Sequence, residues 1–447
     1  MMKWFKRIIS CMLFFICCTL CLTGPTNMNV LAEEDATISD SDYTVYGATA
    51  ELDATMSYSG NGSSIKMALA EAKAGIYFQT EEIQEYALGD EVIVDMRLYP
   101  EGKGYDGKYK LYKAGGELID YGFQGNNWNR VRFKTRVFEQ DGVKNVAIDM
   151  ENGTGKNIWL SDFTVEKAPE EKPLFGGVKL YQVDPKSNLM ESYVIESKEG
   201  EIIVMDGGDL ADADNLVKFL RTFTNEVDYW FVSHFHCDHV RALVTILEYH
   251  DIKINNLYYD FPTTAEIKEI AGDADGYLSD ALDNIIAENP DKVDNVIVPK
   301  RGDVIKVGAD VTVKVLNDAY KEKNGNYGNN TTVVYKVETP GEDILFLGDL
   351  GDRGDAYLAD EWFVSEAEAC TVIQLAHHGQ NGTTDRFYEM IKEKKVCLYA
   401  AKQWIYDNDN GTGFNTATLT TLHMRDLVRE WGVLTIYTQA AGRLLIE

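Results

Sequence analysis

Between Ser233 and Val240 the chain reads Ser233-His234-Phe235-His236-Cys237-Asp238-His239-Val240, which places three imidazoles and a carboxylate within six residues. The apolar run Tyr229-Trp230-Phe231-Val232 leads into them and reads as a strand. Alternate residues of an extended segment share a face, so a strand ending in a tight loop turns His234 and His236 the same way. Asp238 and His239 then face a second position nearby. Neutral imidazole and carboxylate are ligands for zinc and neighbouring divalent metals, and this spacing suggests two adjacent metals rather than one. Structural zinc sites favour thiolates, whereas this cluster is nearly thiolate-free. The expectation is an open, water-bearing site in which bound water is acidified toward neutral pH and attacks an electrophile. A chance histidine-rich turn is the plain alternative. Of seven histidines, however, three lie in this turn and two form His377-His378, a concentration that scattered core histidines do not produce.

At His234, His236, Asp238 and His239 the chain resembles the metallo-β-lactamase fold superfamily, whose signature is H-x-H-x-D-H. Two further stretches carry the resemblance. Ile202-Ile203-Val204-Met205-Asp206-Gly207-Gly208 matches an early strand ending in aspartate, and Ile344-Leu345-Phe346-Leu347-Gly348-Asp349 matches a later Gly-Asp. Gln374-Leu375-Ala376-His377-His378-Gly379 and Asn329-Asn330-Thr331-Thr332-Val333-Val334 are similar to one branch, the hydrolase domain of bacterial competence DNA-uptake channels. The resemblance covers residues 174–447 and implies an α/β fold, a four-layer αββα sandwich with metals at one edge.

Carried over residue by residue, the resemblance implies His234 and His236 at a first metal, Asp238 and His239 at a second, and Asp349 bridging both. His377 or His378 supplies the downstream ligand; His377 is favoured, but strand register leaves the choice open. Asp206 is expected to orient a ligand histidine from behind. Catalysis is expected at His236 and Asp238. Many two-metal members carry a further histidine between the two motifs, and the one candidate here, His250 in Tyr249-His250-Asp251, reads as a helix-end residue. The first metal is therefore expected to have two histidines, Asp349 and water. Two zinc ions are the first choice, with manganese or iron behind. Gly413-Phe414-Asn415 stands where the competence branch has Gly-His-Pro, which weighs against nuclease activity.

The N-terminus combines Lys3, Lys6 and Arg7 with an apolar run from Ile8 to about Leu22, then Val30-Leu31-Ala32 before acidic residues. This reads as a secretory signal peptide over 1–32, so the mature chain is expected to be secreted or held at the cell surface. The run is short for a membrane span, and no later stretch is apolar enough for one. Cys11, Cys17, Cys18 and Cys21 lie in the signal, leaving Cys237, Cys370 and Cys397, too few for a disulfide framework. The formal net charge of −29 becomes three units more negative when the signal is removed. Such a surface argues against tight binding of nucleic-acid polymers. A small or local phosphodiester suits it better.

Residues 33–167 read as short alternating strands between turns, an all-β sandwich: Val92, Val94, Met96 and Leu98 alternate with polar positions, as do Val131 and Phe133. Gly62-Ser63-Ser64, Asn127-Trp128-Asn129-Arg130 and the stretch 158–165 resemble jelly-roll carbohydrate-binding modules. That resemblance implies a glycan partner, with Tyr105, Tyr109, Tyr112 and Trp128 as candidate stacking residues; a docking module without ligand is the other reading. Ala168-Pro169-Glu170-Glu171-Lys172-Pro173 reads as a linker over 168–173. In 174–447, helices are expected over 215–222 and 241–249, and a mostly helical insertion over 266–288. The leading expectation is an exported metal-dependent phosphodiesterase or phosphoesterase acting on a small-molecule or cell-envelope substrate. Its alternatives are hydrolysis of lactam, lactone or thioester carbonyls, and a glycan-binding surface protein with a non-catalytic metal domain.

Overall fold

A computed structural model describes residues 38–60, 62–270, 274–321, 327–392 and 394–447. The expected signal peptide, with its four cysteines, lies outside the described residues. No helix among them is long and apolar enough to cross a membrane.

Alternating sequence in the N-terminal part folds into two packed antiparallel sheets. One runs Tyr43–Tyr46, Lys73–Phe78, Val143–Glu151, Gly104–Lys113 and Leu118–Gly125 across its width; the other runs Ala48–Asp53, Ser64–Leu69, Asn157–Lys167, Glu91–Pro100 and Asn129–Arg136. Val92, Val94, Met96 and Leu98 point inward with Val131 and Phe133, and Phe78 stacks on Phe163 at 3.9 Å. The candidate sugar-stacking residues are arranged differently from the expectation. Pairing of Gly104–Lys113 with its neighbour shifts register midway, and Tyr109 turns into the core. Tyr105 donates to Asp426 at 2.6 Å and Tyr112 to Glu151 at 3.2 Å. Trp128 instead joins Tyr58, Tyr99 and Trp159 in an edge-to-face cluster on the outer face of the second sheet.

The C-terminal part has two seven-stranded mixed sheets. The first runs Val293–Ile297, Lys253–Tyr258, Glu226–Phe231, Ile202–Met205, Tyr193–Glu196, Lys179–Gln182 and Leu444–Ile446; the second runs Val304–Val307, Val311–Val315, Tyr335–Glu338, Ile344–Phe346, Val372–Gln374, Val396–Tyr399 and Thr435–Thr438. Four neighbouring strands in each sheet are parallel. Such strands are buried on both faces, which is why they read as continuous apolar runs such as Ile202-Ile203-Val204-Met205. Phe231, Tyr335, Phe346 and Ile203 fill the space between the sheets. Helices Ala213–Leu220, Cys237–Tyr249 and Tyr277–Glu288 cover the outside of the first sheet, and Glu361–Ala369 and Thr421–Glu430 cover the second. The result is the αββα sandwich. The first two helices begin earlier than the sequence suggested, and Cys237–Tyr249 takes Asp238 and His239 into its opening turn.

The β-sandwich packs on helix Thr421–Glu430. Arg425 and Arg429 are buried there and reach Asp120, with Arg429 Nε donating at 2.6 Å. Tyr121 donates to Asp407 at 2.6 Å, and Phe414 fills a slot against Gly107 and Gly122 where any side chain on those glycines would overlap its ring.

Candidate metal centre

Strands Ile202–Met205 and Glu226–Phe231 are parallel neighbours, and so are Ile344–Phe346 and Val372–Gln374 in the facing sheet. The C-terminal ends of both pairs open on one edge of the sandwich, the place where α/β sheets present their loops to ligands. From the first pair come Asp206, His234 and His236, followed by Asp238 and His239 on the helix. From the second pair come Asp349, His377 and His378. All of the expected site residues thus meet at one centre. Gly348 has φ 50°, and a Cβ there would stand 2.8 Å from Ser233, so the loop carrying Asp349 closes on the His234 loop only with glycine at this position.

Asp349 is 1 % exposed and divides the centre between its two oxygens. Oδ1 lies 3.1 Å from His239 Nε2 and 3.8 Å from His378 Nε2. Oδ2 lies 3.6 Å from His377 Nε2 and 3.8 Å from His234 Nε2. His236 Nδ1 faces His234 Nε2 at 3.0 Å. Two compartments result. The outer one holds His234, His236 and His377, with His236 and His377 partly exposed; the inner one holds Asp238, His239 and His378, all buried.

The far nitrogens of these rings are anchored. His239 Nδ1 meets Asp206 Oδ2 at 3.0 Å, His378 Nδ1 meets the Ala400 carbonyl at 2.7 Å, and His377 Nδ1 meets the Asn381 carbonyl at 3.1 Å. A ring that donates from Nδ1 presents a lone pair at Nε2, the arrangement second-sphere partners impose on metal-binding histidines. Asp206 also accepts from the Ser233 amide at 2.7 Å and hydroxyl at 2.9 Å, so it braces the centre from behind.

The downstream histidines differ from the sequence-based preference for His377. His378 is the one beside Asp238, 3.0 Å from Oδ2, while His377 faces the outer compartment and stands where a third imidazole was missing. His377 and His378 have φ of 52° and 59°, so the chain turns left-handed here instead of continuing the strand. Adjacent left-handed residues send the two rings to different compartments, at about 1–3 kcal/mol of backbone strain each. His250 caps its helix and pairs with Asp214, outside the centre. Asp409 accepts from the amides of Gly411 and Gly413 as a turn residue.

One member of the centre is absent from the motifs. Glu191, 2 % exposed, brings a carboxylate oxygen to within 4.8 Å of donor atoms of His239, Asp349 and His378. Its sequence context, Met190-Glu191-Ser192 before an apolar strand, is ordinary; an acidic residue opening a buried strand beside the one that ends in Asp206 is the signal available.

The electrostatics suit cations. Burial pushes Asp349 and Asp238 up, yet the facing histidines outweigh it and hold both below the usual carboxylate range. Burial likewise lowers His378, but Asp349 and the contact with Asp238 bring it up to about 9. His234 is pushed well down by burial and by His239 and His236. Cys237 is raised by burial and by Asp238, and its sulfur belongs to neither cluster of candidate ligand atoms. His239 Nε2 and Asp349 Oδ1 are buried 3.1 Å apart without forming a well-aligned hydrogen bond. Buried polar atoms seldom stay so, and divalent ions on either side of Asp349 would satisfy both. The residues present therefore fit a metal pair.

The chain matches no protein-family profile and no curated protein. Among solved structures it is similar to the metallo-β-lactamase fold protein YhfI from Bacillus subtilis, at 11 % identity and TM-score 0.38 over 60 % of this chain and 99 % of that one. The Rm3 metallo-β-lactamase gives 14 % identity and TM-score 0.28 over 45 % and 75 %. A xylan-binding domain of Xyn10C from Paenibacillus barcinonensis gives 12 % identity and TM-score 0.23 over 29 % and 94 %. Two facing mixed sheets with outer helices, and the H-x-H-x-D-H loop set against a Gly-Asp strand end, make residues 174–447 the four-layer αββα sandwich that the resemblance to the metallo-β-lactamase superfamily implies.

Proposed function

We propose that the protein is an exported metal-dependent hydrolase of phosphodiesters or phosphoesters. The observation that carries this reading is the sharing of Asp349, one oxygen to each compartment, with imidazole nitrogens facing it on both sides. Ions bound there would acidify water and polarise the electrophile, and a side-by-side pair suits the attacking and leaving oxygens of phosphoryl transfer. The chain's own residues supply the rest. Asp206, Ala400 and Asn381 hold the rings in their orientation. The buried inner compartment excludes water, and His236 and His377 line the side from which substrate enters. The Asn329 side chain, buried near His377 with its oxygen unpartnered, offers a polar contact to substrate. The His377-His378-Gly379 stretch favours phosphoesters over lactams, lactones or thioesters through its resemblance to the competence-channel hydrolases.

The test is hydrolysis of bis(p-nitrophenyl) phosphate by metal-replete protein, with His236→Ala as control. Turnover lost in the variant supports the reading. A metal-loaded protein inert on phosphodiesters but active on a lactone or thioester would replace it with carbonyl hydrolysis.

A second reading concerns the sandwich. Tyr58, Tyr99, Trp128 and Trp159 form an aromatic face, with Arg97 4.1 Å over the Tyr58 ring and Trp159 Nε1 donating to Asp53 at 2.9 Å. Aromatic faces flanked by polar groups bind sugar rings, so this face, rather than Tyr105 and Tyr109, is the place for a glycan. Loss of retention on xylan with Trp159→Ala would support it, and unchanged retention would remove it.

A further inference from the structure

The two compartments differ in donor chemistry. The outer one offers three imidazoles and one oxygen of Asp349. The inner one offers two imidazoles, Asp238, the other oxygen of Asp349, and Glu191. Glu191 has no role in the motifs, yet it is held firmly. Its amide donates to the Asp238 carbonyl at 3.0 Å, and Gln374 Nε2 donates to its Oε2 at 2.9 Å. Gln374 is fixed in turn by donating to the Gly348 carbonyl at 3.1 Å and accepting from the Leu347 amide at 2.7 Å, which ties Glu191 to the loop carrying Asp349.

An amide is a weak partner for a buried carboxylate, and burial without charge compensation is costly. No lysine or arginine among the described residues enters this cluster. Glu191 thus lies with Asp238 and Asp349 as one of three buried carboxyl groups around the inner imidazoles, and Asp206 stands behind His239. Imidazole-rich four-donor sites suit zinc, while carboxylate-rich sites of higher donor number suit manganese.

We infer that Glu191 is a fifth protein donor to the inner compartment and makes the centre heterobimetallic, with Mn2+ in the inner compartment and Zn2+ in the outer one. This rests on the metal-dependent reading of the same site. It concerns which ions bind, independently of the substrate.

The experiment uses the full chain, stripped of metal, reconstituted with two equivalents of Zn2+ and a large excess of Mn2+, which offsets the weaker general affinity of Mn2+ for nitrogen and oxygen donors, and then dialysed, with metal content and the Mn2+ paramagnetic resonance signal as readouts. Wild type is expected to hold one of each. Glu191→Gln, which keeps the shape and can still accept from Gln374, is expected to bind Mn2+ about 10–100-fold more weakly while retaining its Zn2+. Wild type that takes two Zn2+ in the competition, or a folded Glu191→Gln that keeps wild-type Mn2+ affinity, overturns the inference. Should Glu191→Gln not fold by circular dichroism, the wild-type competition decides alone. Turnover of bis(p-nitrophenyl) phosphate is scored separately. The predicted metal partition without turnover retains the inference and removes the phosphoester reading; turnover with an unselective centre does the reverse.

Discussion

His377 and His378 are sequence neighbours that serve opposite sides of Asp349, so their removal should have different effects. His378→Ala takes a donor from the inner compartment and leaves Asp238 facing a void; the inner ion is expected to weaken about 10–100-fold. His377→Ala should spare the inner ion and weaken the outer one, as metal analysis after dialysis would show. This division was hidden in the sequence, because a buried strand running to Gln374 gives no notice of two left-handed residues beyond a following glycine. His234, His236, Asp238 and His239 were legible because they are local. Glu191 was not, since its membership arises from a loop between strands Lys179–Gln182 and Tyr193–Glu196 folding back on Asp238.

At the level of elements, the centre depends on how closely two strand ends approach. Gly348→Ala would add a Cβ at 2.8 Å from Ser233 on a backbone of φ 50°, with Thr332 3.0 Å away. A loss of about 1–3 kcal/mol is expected, together with displacement of Asp349. Chemical denaturation and metal affinity should fall together; a variant with lower stability and intact metal binding would separate the turn from the site. The layers were readable from apolar runs such as Ile202-Ile203-Val204-Met205. The opening of helix Cys237–Tyr249 was less so, because Asp238 and His239 look like loop residues until the helix that buries them is seen. The aromatic residues of the sandwich failed for a similar reason: a register shift in Gly104–Lys113 sends Tyr109 inward, and no alternation pattern reports a bulge.

Across the whole molecule, the β-sandwich is joined to the metal domain by charge as well as by packing. Burial pushes Asp120 up, but Arg429 and Arg425 outweigh it and hold the carboxyl below its usual range. A carboxyl depressed in the folded state stabilises above its unfolded value and loses that contribution as pH falls through the folded one. The junction should therefore loosen below about pH 4, the ordinary aspartate value. Limited proteolysis of the 168–173 connector against pH would detect it. Removing one member of a buried pair costs about 3–5 kcal/mol, so Arg429→Ala should split thermal unfolding into two transitions at neutral pH. A single unshifted transition would mean that the domains hold together by other contacts. The loop holding Asp407 and Phe414 is clamped by Tyr121, Gly107 and Gly122 of the sandwich. The most direct test of the two-compartment centre is anomalous diffraction from crystals of the metal-loaded full chain. Two peaks are predicted, one among His234, His236 and His377 and one among Glu191, Asp238, His239 and His378, with Asp349 between them; a single peak, or none beside Asp349, would contradict the account.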